Sequence, residues 1–144
     1  MTRRLHPGWL VALFAGVVWA SAWMPWLTTA DNGGGWANAI GGTHGSLELP
    51  TGFGAGQLIV LLSSSLVVAG ALAGRGLSLL IASVAALVIS LLIVAVTLWY
   101  YKLNVRTSIA AEYGLYIGAV GAVFAMLCSV WAVADALIAG RSRR

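Results

Sequence analysis

Charge is scarce in this 144-residue chain: 8% of positions are charged against 60% hydrophobic, with four acidic and eight basic side chains. So little polar surface does not cover a soluble globule, and lipid is left as the main solvent. The net charge of +4 would point to nucleic acid in a soluble protein. Here the basic residues stand at the ends of apolar runs, where they orient a membrane protein, and no nucleic-acid partner is expected. There is one cysteine, Cys128, which excludes a disulfide within the chain. Its place inside an apolar run reads as a small core hydrophobe.

Catalytic vocabulary is equally thin. The only histidines are His6 and His44, and the polar stretch around His44 adds only Asp31 and Glu48, in a segment too glycine-rich to hold them at helical spacing. No nucleophile elbow, phosphate-cradling glycine loop or paired cysteines occur. No enzyme activity, metal or cofactor is therefore expected. A small proton-coupled exporter needs a carboxylate within the bilayer. The first apolar run has none, and the sole candidate is Asp135 near the end of the last run. Pairing with an arginine or a partner subunit is the expected role of Asp135, with transport as the alternative.

What is present is a set of four apolar runs, which predicts an all-α membrane protein: one domain, a four-helix transmembrane bundle. The expected helices cover about residues 9–26, 56–73, 77–101 and 111–139, each long enough to cross a hydrocarbon core. The basic start, apolar centre and Ala20-Ser-Ala22 of the first run also satisfy a signal-peptide pattern. Bulky Trp23 and nearby Pro25 are poor neighbours for cleavage, so a retained helix is expected. Trp19, Trp23 and Trp26 then fall on one stripe near the outer interface, as a belt or as a lipid or partner contact.

Residues 27–55 form the one long polar segment, an extracytoplasmic loop dense in glycine. Residues 36–40 and 46–49 flank Gly-Gly-Thr-His-Gly and are expected to pair as a small hairpin. Trp36 and Phe53 are more apolar than a free loop requires, which marks them as candidate partner or lipid contacts.

Small residues recur along the later runs. Gly70 and Gly74 are a small-xxx-small pair beside the Gly74-Arg-Gly76 turn, which forces the second and third helices to be antiparallel neighbours. Gly114, Gly118 and Ala122, with Gly121 adjacent, give the fourth helix a flat packing face. Ser63, Ser64 and Ser65 lie halfway along the second helix as a possible polar site, although such serines also bond their own upstream carbonyls.

Arg3, Arg4, Arg75, Arg141, Arg143 and Arg144 fall on one side of the membrane, and only Lys102 and Arg106 on the other. The positive-inside rule places both termini in the cytoplasm of a plasma (inner) membrane protein and the glycine-rich loop outside. With packing faces, an apolar loop and little chemistry, the chain is expected to be a non-enzymatic accessory or assembly subunit. Its partners would be larger, permease-like subunits of a membrane complex and the lipid bilayer itself. A small homo-oligomeric transporter or channel, lined by Ser63 to Ser65 or Asp135, is the alternative.

The Trp23-Met-Pro-Trp26-Leu27 exit, the glycine-rich loop, the tight Gly-Arg-Gly turn and the arginine-ended tail resemble small four-helix membrane proteins of mycobacteria and other actinobacteria. Richness in Ala, Val, Leu and Gly and a preference for Arg over Lys fit that origin. Among such proteins are accessory subunits of the Mce lipid importer. That resemblance implies helices packed on a permease, an outer loop directed at a periplasmic lipid conduit, and a role in lipid transport. The layout is also similar to claudin-type proteins, whose paired loop cysteines are absent here.

Overall fold

The computed structural model describes residues 4–50 and 52–143. Arg3 and Arg144, invoked above for orientation, lie outside them. Four helices dominate: α1 (Pro7–Ser21), α2 (Ala55–Gly74), α3 (Leu79–Asn104) and α4 (Tyr113–Arg141). They form a ring in which α1 and α3 each pack between α2 and α4. α2, α3 and α4 are each long and apolar enough to cross a membrane, whereas α1 is a shorter apolar helix of 15 residues.

α2, α3 and α4 each turn inward a seam rich in small or hydroxylated residues, at alternating steps of three and four. In α2 the seam is Gly56, Ile59, Ser63, Leu66, Gly70 and Ala73. In α3 it is Ser83, Ala86, Ser90, Ile93, Thr97 and Tyr100, and in α4 Gly118, Ala122, Ala125, Ser129, Ala132 and Ala136. This 3.5-residue period is that of helices crossing at a shallow angle with knobs in holes. The large residues stand outside, with Leu61, Val88, Leu91, Leu98, Val120, Phe124 and Leu137 all exposed. A seam rich in small residues and hydroxyls within, and large apolar residues without, is the pattern of helices packed for a lipid solvent.

Glycine lets the helix backbones touch. A methyl group on Gly70 would lie 2.7 Å from the Ala12 amide nitrogen and 2.9 Å from the Gly8 carbonyl of α1, and one on Gly8 would meet the backbone of Gly74. A methyl group on Gly74 would lie 2.9 Å from the Trp9 ring, one on Gly118 would meet Ser21 and Trp26, and one on Gly121 would meet Val18. With Ala122 buried, these positions pack within the chain.

The molecule is not purely helical. Four short strands, β1 (Pro25–Thr29), β2 (Gly35–Asn38), β3 (Thr43–Gly45) and β4 (Ala110–Ala111), form an antiparallel sheet in the order β3-β2-β1-β4. It draws on both connections at one end of the bundle, the α1–α2 loop and the α3–α4 loop. This corrects the expected hairpin of residues 36–40 with 46–49. Asn38 closes a turn, accepting from the Gly42 amide at 2.7 Å and donating its own amide to the Gly42 carbonyl. The return strand therefore starts at Thr43. It ends at Gly45, whose φ of +78° breaks the extended run.

The first helix is also shorter than expected. It ends at Ser21 rather than Trp26, because Pro25 excludes its predecessor from helical geometry and begins β1. That shift of a few residues changes what the tryptophans do.

Candidate functional site at the sheet end

Trp19 and Trp23 stay outside, exposed and tilted together with centroids 5.9 Å apart. Trp26, expected on the same outer stripe, is instead 0% exposed. Its indole N–H donates to the Ser21 carbonyl at 2.6 Å, and its ring meets Tyr100 edge-on with centroids 5.1 Å apart. Gly114 and Gly118 of α4 leave the space it fills. Trp26 is thus a plug between sheet and bundle, unavailable to lipid or partner.

Across the sheet, alternate residues share a face. Leu27 and Ala37 point at the bundle and are fully buried. The opposite face carries the cross-strand row His44, Trp36, Thr28 and Ala110. There Trp36 is 39% exposed and stacks on His44, centroids 5.9 Å apart and planes 27° apart. Phe53, beyond the sheet, is 69% exposed.

The cap is tied to the helices by polar bonds. The Ala39 amide donates to the Ala22 carbonyl at 3.1 Å and the Glu112 amide to the Trp26 carbonyl at 2.9 Å. The Gln57 side chain donates to the Ile40 carbonyl at 3.0 Å, and Thr29 donates its hydroxyl to Ser108 at 2.7 Å across the two connections. Such ties hold the outward face in a fixed orientation to the bundle.

The possible polar site dissolves into backbone bonding. Ser63 and Ser64 both donate to the Val60 carbonyl, at 2.9 and 2.8 Å, and Ser65 donates to Leu61 at 3.0 Å. Ser63 is inside the bundle, fully buried, whereas Ser64 and Ser65 face outward. Asp135 also lies on the outer surface of α4, so the structure does not bring these residues together. Among the described residues no three His, Cys, Asp or Glu side chains are placed to hold a metal ion.

A feature not legible in the sequence is a cavity of about 440 Å³ between residues 48–50 and 52–54, the start of α2 and the end of α3. Its lining includes Glu48, Gln57, Tyr100, Asn104 and Arg106. Tyr100 alone carried a signal in the sequence, since it continues the Ser83-to-Thr97 seam; the others come from three separate segments.

Fold and site together define a small bundle, with three helices fit to cross a membrane and a folded cap at one end. No family model, curated protein or solved structure matches the chain.

Proposed function

We propose that this chain is a non-enzymatic accessory or assembly subunit of a multiprotein inner-membrane complex, its four helices crossing the bilayer. The single observation that carries the reading is the outward row of the sheet, where Trp36 and His44 stack in the open on a cap bonded firmly to the helices. Exposed aromatics on a rigid support are what a partner surface reads most strongly. Arg4, Arg75, Arg141 and Arg143 belong to the opposite end, so the termini are cytoplasmic and the sheet is extracytoplasmic. A larger permease-like subunit is the fitting partner. The resemblance to Mce accessory subunits makes lipid the cargo of the complex.

The transporter alternative is weaker within one copy of the chain. Ser63 is sealed in the seam and turned onto its own helix, and Asp135 is outside, so a path would have to form between copies. Gentle extraction and affinity purification at native expression level separates the readings. The accessory role predicts stoichiometric larger membrane partners, lost in Trp36→Ala while membrane insertion is retained. Recovery of the chain only as a homo-oligomer contradicts it.

A further inference from the structure

Residues that no motif connects meet in the cavity lined by Glu48, Leu49, Pro50 and the start of α2. One part of its wall is apolar, with Leu49, Leu103 and Ile109, and the other carries a carboxylate at Glu48 and a guanidinium at Arg106. Ala55 and Gly56 also line it. Their amides belong to the first turn of α2 and have no acceptor within the helix. A second cavity of about 510 Å³ shares Glu48, Leu49, Pro50 and Gln57. Tyr100 also lines the cavity, 4% exposed, with its hydroxyl closed off from solvent.

We propose that this cavity binds the headgroup of a zwitterionic phospholipid. The phosphate lies against Arg106 and the first-turn amides of α2, and the ammonium lies against Glu48. Arg supplies the fork that fits a phosphate. A purely anionic head is opposed by Glu48, and a purely cationic one by Arg106; a head with both signs satisfies both. The volume is within the range of small-ligand sites. Leu103, exposed at the end of α3, continues the apolar wall toward the outer surface of α3, which gives the acyl chains an exit to the bilayer. The site requires only that the helices cross a membrane. It stands or falls independently of the partner role assigned to Trp36.

The test uses the full chain in maltoside micelles, with binding of dioleoyl-phosphatidylethanolamine and dioleoyl-phosphatidylglycerol followed by native mass spectrometry. Glu48 and Arg106 are both exposed, so their variants keep the elution profile of the native protein. The native chain retains the ethanolamine lipid about tenfold more tightly than the glycerol lipid. Arg106→Gln weakens both by about tenfold, the loss of one good charged contact. Glu48→Gln removes the preference between them. Equal retention of the two lipids by the native chain overturns the proposal, as does undiminished ethanolamine-lipid binding in Arg106→Gln.

Discussion

At the scale of single residues, glycine and tryptophan positions that look alike in sequence differ sharply in what surrounds them. Gly70→Ala places a methyl group against the backbone of α1 at 2.7 and 2.9 Å, where no side chain can swing away. A loss of about 1–3 kcal/mol is expected from such overpacking, read as a lower unfolding midpoint in detergent. Gly16 has open space around the same position, so Gly16→Ala gains up to about 1 kcal/mol from helix propensity. The tryptophans divide in the same way. Trp26→Ala removes a fully buried ring and the donor to Ser21, at a cost of about 3–5 kcal/mol. Trp23→Ala, on an exposed ring, stays within about 0.5 kcal/mol of the native midpoint. Equal effects at positions 23 and 26 would restore the single outer stripe that the sequence suggests. Ser83, like Tyr100, is a seam residue whose hydroxyl has no hydrogen-bond partner, and Ser83→Ala is expected to leave the midpoint unchanged or raise it.

At the scale of elements, the helices were legible because their signal is local and repeated. Apolar runs mark α2, α3 and α4 to within three residues at each end, and the Gly114, Gly118, Ala122 spacing marks the inward face of α4. The Gly74-Arg-Gly76 connection likewise fits the neighbouring of α2 and α3. The sheet was less legible. β4 is two residues long and pairs with β1 from a connection on the far side of two helices, so no alternation within a window reveals it. Trp26 misled for a related reason. Read as the last turn of a helix it faces out, whereas in β1 the irregular pairing between Pro25 and Leu27 breaks the alternation and Trp26 is buried alongside Leu27. The cavity was hidden most fully, since Glu48, Gln57 and Arg106 become neighbours only when the two connections fold over the same end of the bundle.

At the scale of the whole molecule, the chain has two unlike ends. One bears Arg4, Arg75, Arg141 and Arg143 around the short α2–α3 turn. The other is a bonded cap with an aromatic row on its outer side, and the bundle between them exposes large apolar residues. In a Cys128→Ser background, a cysteine at Thr43 is expected to react with an impermeant maleimide on intact cells. A cysteine at Arg143 is expected to react only after permeabilisation, and the reverse pattern would invert the topology. The claim that matters most is that the cap's outer face meets another protein. Photo-crosslinking from position 36 in living cells tests it directly, with position 91, on the exposed apolar side of α3, as the control. The account predicts a covalent adduct between position 36 and a larger membrane protein, and none from position 91. An adduct only with a second copy of the chain, or no protein adduct from position 36, would contradict it.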